Sequence, residues 1–360
     1  ISGSTATVTL SFTSGISVAS AETLLDEVRY VNTSNNPTTT SARGVQITEL
    51  QDTGGVLYSG DDTVDTSSDS SLSALTTLAG INSEPTLTST TGSTQMFTED
   101  TTTSVKPFSS ASVDTIEASQ DISVIVWTVE NVADGTAEKL VIDGTEFTLA
   151  DGETGKTSGN GGIYDVSLVS TTVAGNATLY KMEVTLSFDN SFAPATGAGA
   201  TTADGALSTG DFEILVDNIA YKNTSQAPTN EQNRVITITQ VRDSGGSANG
   251  GDDLNDALSI SREVMVMGVN DAPSFSVQAG DSVSENLSET NSKLTQSGTV
   301  TVSDPEMVDT VFVNKSLTVS GTGWSQGYVG EPTAAQLDSM FTFNTTVVSN
   351  TETSNTLDWT

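Results

Sequence analysis

LLDEVRYVNTSNNPTTTSARGVQITELQDTGG, residues 24–55, decides the fold because it recurs without a gap as LVDNIAYKNTSQAPTNEQNRVITITQVRDSGG, residues 215–246. The second stretch follows the first at a constant offset of 191 residues. Identical residues fall in register in the pairs Asp26/Asp217, Tyr30/Tyr221, Asn32/Asn223, Pro37/Pro228, Arg43/Arg234 and Asp52/Asp243. Self-similarity at this length indicates two copies of one domain.

The similarity extends on both sides of these stretches and sets the domain boundaries. VTLSF at residues 8–12 recurs at residues 184–188, so the second copy carries an insertion at residues 189–210. Downstream, GINSEP at residues 80–85 matches GVNDAP at residues 268–273. We therefore predict the C-terminal part of one domain at residues 1–84, a complete domain at residues 85–273 and the N-terminal part of a third at residues 274–360. Residues 8–85 are called the first copy below, and residues 184–273 the second copy.

Alternation of apolar and polar residues, with Thr, Val and Ile favoured, predicts mostly strands. The predicted strands lie at residues 7–12, 45–50, 122–129, 139–142, 182–188, 235–241 and 299–302. One short helix is expected in each copy, with Ser20 capping residues 21–27 and Ser208 capping residues 211–218. Many short strands with so little helix predict an all-β fold of tandem antiparallel Greek-key β-sandwich domains.

The composition excludes several kinds of partner and chemistry. The chain has 12 Lys and Arg against 46 Asp and Glu, a formal net charge of -34, which argues against nucleic acid and against anionic membrane surfaces as partners. It has no Cys and no His, which rules out disulfides, a thiolate nucleophile, a Ser-His-Asp triad and ordinary zinc sites. Its apolar runs are too short for membrane insertion. The acidic excess suits solvation or bound divalent cations.

Two sets of acidic residues are candidates for calcium, which prefers six to eight oxygen ligands. The first set lies in the loop after the duplicated strand and repeats at fixed spacing, the alternative being an ordinary acidic hairpin. It comprises Asp52, Asp61, Asp62 and Asp65 in the first copy, and Asp243, Asp252, Asp253 and Asp256 in the second.

The second set lies at the predicted junctions between domains, the alternative being a solvated acidic linker. At the later junction it comprises Asn270, Asp271, Glu285, Asp304, Glu306 and Asp309. At the earlier junction the corresponding residues are Asn82 and Glu84, then Glu99 and Asp100, then Asp114, Glu117 and Asp121. A cation held there would stiffen a short hinge.

A catalytic interpretation would need a pair of carboxylates acting on a glycan, with tryptophans to stack on the sugar. No pair is set apart in this way, and tandem duplication is unusual for a catalytic centre. Of Trp127, Trp324 and Trp359, the first lies inside an alternating strand and is expected in the core. No phosphate loop, dinucleotide fingerprint or nucleophile elbow occurs. We therefore expect no enzymatic activity.

GVNDAP at residues 268–273, followed by SDPEMVD at residues 303–309, resembles the linker of bacterial cadherin-like domains. Residues 297–359, with SGTVTVSDPE and TLDWT, resemble a VCBS repeat, and the 191-residue unit resembles repeats of very large bacterial adhesins. The resemblance implies immunoglobulin- or cadherin-like sandwiches, Ca²⁺ at the junctions and an extracellular or cell-surface location. It implies Asn270, Asp271, Glu285, Asp304 and Asp309 as ligands, whereas Asn-Ser-Glu at residues 82–84 departs from the linker pattern.

The resulting expectation is a calcium-rigidified structural module, the stalk or filament body of an adhesin, whose partners are neighbouring repeats or like subunits. Two alternatives remain open. One is a module that binds a glycan or another surface, through residues 189–210. The other is a head-to-tail filament in which partial domains complete one another by strand addition. The chain itself is expected to be an internal or processed piece of something longer.

Overall fold

The computed structural model describes residues 5–34, 36–39, 41–90, 93–175, 177–190, 203–283, 288, 292, 294–306, 309–317, 333–344 and 346–360. The chain divides into two compact units. Unit 1 comprises Ile1–Thr86, Asp114–Ile122 and Arg242–Asn255, and unit 2 comprises Leu87–Val113, Ser123–Val241 and Asp256–Thr360.

Strands dominate both units. The elements up to residue 86 are α1 (Val18–Asp26), β1 (Arg43–Gln46), β2 (Glu49–Gln51), β3 (Thr63–Asp65), β4 (Ser73–Thr76) and the start of β5 (Thr86–Thr88). The next are β6 (Gln95–Thr98), β7 (Ser112–Asp114), β8 (Ile122–Val132), β9 (Glu138–Ile142), β10 (Thr145–Thr148), β11 (Thr154–Lys156), β12 (Ile163–Ala174), β13 (Ala177–Ser187), α2 (Thr209–Asp217), β14 (Ala220–Asn223), β15 (Arg234–Asp243), β16 (Leu254–Asn255) and β17 (Ile260–Met267). The last are β18 (Ser274–Ser276), β19 (Gly298–Ser303), β20 (Val311–Phe312), α3 (Ala334–Met340), β21 (Thr346–Val348) and β22 (Ser354–Trp359).

Unit 2 is built on a large sheet in the order β11-β12-β13-β8-β15-β17-β6 and a second sheet in the order β10-β9-β14. The two sheets meet through aromatic pairs: Phe147 stacks on Tyr164 at 4.2 Å between ring centroids, and Phe97 meets Tyr221 edge to face at 5.8 Å. The core lies between the sheets, where Trp127 of β8 is fully buried, as expected from its strand. The prediction of the all-β class is confirmed.

Residues 274–360 carry a smaller core of their own. Strands β18, β19 and β22 form a three-stranded antiparallel sheet, and β20 pairs with β21. Its buried residues are Val302, Val311, Val347, Val348 and Leu357. Trp359, half-buried at the end of β22, donates its indole N–H to Ser282 O at 3.0 Å and thereby fixes the chain before β19. None of the described helices is long and apolar enough to cross a membrane.

Three details of the predicted secondary structure are wrong. The pair β6 and β17 is parallel, whereas all pairs were expected to be antiparallel, because apolar alternation carries no information on strand direction. Helix α1 begins at Val18 and is capped by Ser17, whose side chain accepts from Ser20 N; Ser20 therefore lies in the first turn and is not the cap. Ser208 does cap α2.

The third wrong detail is the strand predicted at residues 7–12, which forms no strand. Its counterpart, residues 183–188, belongs largely to β13, which pairs with β8 on one side and β12 on the other. A strand needs a neighbour to satisfy its backbone, and none of the described strands pairs with residues 7–12.

The two copies nevertheless share their local geometry. Helix α1, Val18–Asp26, and helix α2, Thr209–Asp217, occupy positions related by the sequence offset. Tyr58 and the aligned Asn249 both adopt positive φ, 59° and 58°. Strand β1 pairs with β4, and β15 with β17, in the register that the aligned sequences predict.

Candidate metal centre

The candidate centre in unit 2 begins where the parallel strands β6 and β17 end. Glu99 follows β6 directly, and its N–H donates to Met267 O at 2.9 Å, which continues the pairing of the two strands. Its side chain turns to the segment after β17, where Glu99 Oε2 accepts from Val269 N at 2.7 Å. The backbone pairing therefore places the Glu99 carboxylate beside residues 268–273.

Two more carboxylates converge on Glu99. Asp271 lies four residues after β17, and Glu306 three residues after β19. Asp271 N donates to Glu306 Oε1 at 3.2 Å, which holds the two segments together. One carboxylate oxygen from each of Glu99, Asp271 and Glu306 lies within 4.8 Å of the other two, so that the group can hold a metal ion. We call these three residues the Glu99 cluster.

Each member of the Glu99 cluster has a buried carboxylate oxygen without a hydrogen-bond partner: Glu99 Oε1, Asp271 Oδ2 and Glu306 Oε2. Glu99 is only 3 % exposed. Burying a charged oxygen without a partner is costly, and native proteins rarely do it. Three carboxylates that lie within reach of one ion and each have such an oxygen are the arrangement that a cation would satisfy.

The electrostatics of the cluster point the same way. Burial raises the pKa of Glu99; the hydrogen bond from Val269 N opposes this rise, and the negative charge of Asp271 adds to it. Burial also raises the pKa of Glu306, and its hydrogen bond with the Asp304 side chain contributes further. The protein without a cation therefore disfavours full ionisation of carboxylates that a divalent ion would stabilise.

A second group shares Glu306 with the first. Asp304, Glu306 and Asp309 also bring one carboxylate oxygen each within 4.8 Å of the others. Asp304 is buried, and its Oδ1 accepts from Glu306 N at 3.2 Å in the turn after β19. Asp309 N donates to Glu306 O at 3.3 Å, which keeps Asp309 next to Glu306. The acidic turn of residues 304–309 thus presents carboxylates to two adjacent positions.

The acids of the loop after the duplicated strand act instead as acceptors in tight turns. Asp52 Oδ1 accepts from Gly54 N at 2.7 Å, and Asp243 Oδ1 from Gly245 N at 2.8 Å. The other loop acids have these partners: Asp61 with Thr63, Asp252 with Leu254, Asp62 with Gln51, Asp65 with Ser67, and Asp253 with Arg242, while Asp256 is exposed. Within the part of the chain that the structure describes, none of them joins a group of three carboxylates close enough for one ion. Five of the eight, Asp52, Asp61, Asp65, Asp243 and Asp252, accept from the backbone N–H two residues on, so turn formation explains their positions.

The structure does not keep the residues predicted for the two junctions in two separate groups. The structure groups Glu99, expected at the earlier junction, with Asp271 and Glu306 of the later one. Five further side chains form other hydrogen bonds: Asp100 accepts from Gln226, Asp114 from Ile116 N and Glu117 from Ser83 N, and the amides of Asn82 and Asn270 donate to Asp243 and to Asp271 O. Glu84 is exposed, and Asp121 pairs with Ser244 through its backbone. Glu285 lies outside the described residues.

The structure offers little for the glycan-binding alternative. A cleft of about 390 Å³ in unit 2 is lined by apolar residues and by polar ones that include Lys106, Asp143 and Asp211, but none of its lining residues is aromatic. Trp127 lies in the core, and Trp324 and most of residues 189–210 lie outside the described residues. The stacking platform that a sugar site commonly uses is therefore missing from this cleft.

Comparisons with protein-family models, with curated proteins and with solved structures found no match.

Proposed function

We propose that the chain is a structural, non-enzymatic module of tandem Greek-key β-sandwich repeats, rigidified by calcium, in a bacterial adhesin or filament outside the cell. The Glu99 cluster carries this proposal, because its three unpaired carboxylate oxygens need a cation. The sequence similarity of the two copies and their shared local geometry support the tandem arrangement.

The chemistry of the donors favours calcium. All side-chain donors of the cluster are carboxylate oxygens, and the chain has no His or Cys to attract zinc or copper. Calcium accepts six to eight oxygens at about 2.3–2.6 Å and tolerates irregular geometry, so backbone carbonyls and waters can complete its shell. Magnesium demands near-ideal octahedral geometry and releases its water reluctantly.

A cation in the cluster would join three segments that otherwise repel one another. Glu99 follows β6, Asp271 lies between β17 and β18, and Glu306 follows β19. Residues 268–273 are the covalent link between β17 and β18, and a cation would tie this link on both sides. Stiffness of this kind suits a module that transmits force or sets a distance, which is the role proposed here.

Calorimetric unfolding of the full chain tests the proposal, with calcium and with excess EGTA. At about 100 times the dissociation constant, binding adds about 2.7 kcal/mol, which raises the melting temperature of the affected unit by about 5–10 °C. Glu99→Gln is expected to lose most of this rise.

The matched control is Asp100→Asn, which removes the same charge from the neighbouring residue. Asp100 is exposed and has a φ of 60°, which Asn tolerates well. This variant should keep the calcium-dependent rise. Melting curves of the unaltered chain that coincide in calcium and in EGTA would contradict the proposal.

A further inference from the structure

A set of apolar residues is exposed in the first copy although its counterparts in the second copy are buried. Tyr30 is 42 % exposed, whereas the aligned Tyr221 is 0 % exposed. Val45 and Leu50 are exposed, whereas their counterparts Ile236 and Val241 are fully buried. Thr66 is the only buried residue among the described residues 5–84. We call the apolar side formed by residues 8–50 of the first copy the open face.

Residues 87–175 supply what covers the corresponding side of the second copy. Val184 and Leu186 of β13 are buried between β8 and β12, while their counterparts Val8 and Leu10 are exposed and belong to no strand. Strand β14, which contains Tyr221, pairs with β9.

Helix α2 is held by the same segment. Ala111 N donates to Asp217 Oδ1 at 2.9 Å, and Val113 N donates to Glu213 Oε1 at 3.0 Å. The first copy has the identical acids, Glu22 and Asp26, on α1, and both are exposed. Helix α1 has no buried residue, while α2 buries Phe212, Leu215 and Val216.

A charged group makes the match specific. In the second copy, Arg234 Nε and Nη2 donate to Glu138 at 2.9 Å each, and Nη2 also reaches Asp134 at 3.2 Å. Tyr221 Oη donates to Glu138 Oε2 at 2.8 Å, and Asn223 donates to Asp134 Oδ2 at 2.7 Å. Asp134 and Glu138 both belong to residues 87–175.

The first copy has the counterparts of the hydrogen-bond donors of this group but not of its acidic acceptors. Arg43, Tyr30 and Asn32 are identical to Arg234, Tyr221 and Asn223. Arg43 Nη1 donates to Ser41 O at 2.7 Å, as Arg234 does to the aligned Gln232, but Arg43 Nη2 donates to Thr38 O where Arg234 meets carboxylates.

We propose that the open face binds a polypeptide segment of the same kind as residues 87–175, whose acidic pair at the positions of Asp134 and Glu138 meets Arg43 and Tyr30. The segment would add strands on both sides of residues 7–12 and cover α1. This proposal rests on the duplication, not on calcium, so it stands or falls separately from the metal centre. It assigns to the first copy a surface that a segment of this kind completes, on the same polypeptide or on another.

An extended chain tests the proposal directly: residues 87–175, which stop before the counterpart of residues 7–12, are joined through a Gly/Ser linker ahead of residue 1 of the full chain. Hydrogen exchange is then measured at residues 43–51. The proposal expects these amides to exchange at least about 100-fold more slowly than in the unextended chain. The same extension with Asp134→Asn and Glu138→Gln in the appended segment alone should lose this protection. Unchanged exchange in the first extended chain, or equal protection in both, would overturn the proposal.

Disulfide formation tests the predicted register, and it distinguishes a segment that has docked on the open face from one that has collapsed elsewhere. In the second copy Glu183 faces Thr128 across β13 and β8, and Thr7 is the counterpart of Glu183. The chain has no Cys of its own, so any disulfide reports the engineered pair. Thr7→Cys should link to Thr128→Cys in the appended segment. Val8→Cys should not, because one step along a strand turns the side chain to the other face. Equal linkage at residues 7 and 8, or linkage at neither, would overturn the proposal.

Discussion

Arg234 and Glu138 form a fully buried ion pair in unit 2, and their surroundings explain how the chain tolerates it. Both side chains are 0 % exposed, and the guanidinium meets the carboxylate with two parallel hydrogen bonds. Although burial acts to lower it, the pKa of Arg234 lies above its ordinary value because Glu138 binds and attracts the charged form. Burial raises the pKa of Tyr221, which keeps its hydroxyl a donor to Glu138.

Removing the carboxylate of this pair should be far more costly than removing an exposed one. Glu138→Ala leaves the Arg234 charge buried without its main partner, so we expect the free energy of unfolding to fall by about 3–5 kcal/mol. The control is Glu146→Ala, which breaks ion pairs with Lys139 and Lys222 at the surface and should cost below about 1 kcal/mol. Urea unfolding of both variants measures the difference. Equal losses would show that the buried network does not stabilise this unit.

Asp281 gives a prediction with a defined pH dependence. The hydrogen bond from Gln278 N is the largest cause of its lowered pKa, and hydrogen bonds from Thr299 and Thr301 add to it. Because the folded state lowers the pKa below its ordinary value of 3.8, the carboxylate stabilises the fold above that pH, and the contribution disappears as the pH falls through the folded value.

Asp281→Asn should therefore lower the melting temperature at pH 7, and the difference from the unaltered chain should shrink as the pH falls below about 4. Thermal unfolding of both chains between pH 7 and pH 3 measures this. A difference between the two chains that does not change with pH would contradict the assignment.

At the scale of elements, α1 and α2 have the same length and lie at aligned positions in the two copies, but they differ in the tertiary contacts that stabilise them. Isolated helices shorter than about 12 residues are marginal in water, so tertiary packing must stabilise them. Helix α2 has three buried residues and accepts hydrogen bonds from residues 111 and 113, whereas α1 has its Ser17 cap and no buried residue.

In the unaltered chain we therefore expect the amides of α1 to exchange at least about 100-fold faster than those of α2. Hydrogen exchange with peptide-level detection distinguishes the helices, because their sequences differ at most positions. Ser17 and Ser208 serve as an internal control: each helix has a Ser cap, so capping cannot cause the difference in exchange. Comparable protection would mean that something already covers α1 in solution.

At the scale of the whole molecule, the sequence predicted what is local and missed what depends on neighbours. Strands β8, β9, β13, β15 and β19 follow from alternation, and the acids of the Glu99 cluster were all among the predicted ligands. Their grouping was not predicted, because it depends on the parallel pairing of β6 with β17. Residues 7–12 have the alternation of a strand, but none of the described strands pairs with them. Alternation alone does not reveal whether a pairing strand is present.

Chelation should consequently act on one part of the molecule and spare another. The Glu99 cluster ties residues 268–273 to the ends of β6 and β19, so EGTA should increase hydrogen exchange and protease cleavage there. The two-stranded sheet of β1 and β4 contains no member of either carboxylate group and should not respond. A net charge of -34 makes any divalent ion a general screen, so magnesium at equal ionic strength is the control. If magnesium restores the protection of residues 268–273 as well as calcium does, the effect of the cation is unspecific screening of charge. If calcium alone restores it, the cluster must be a selective site.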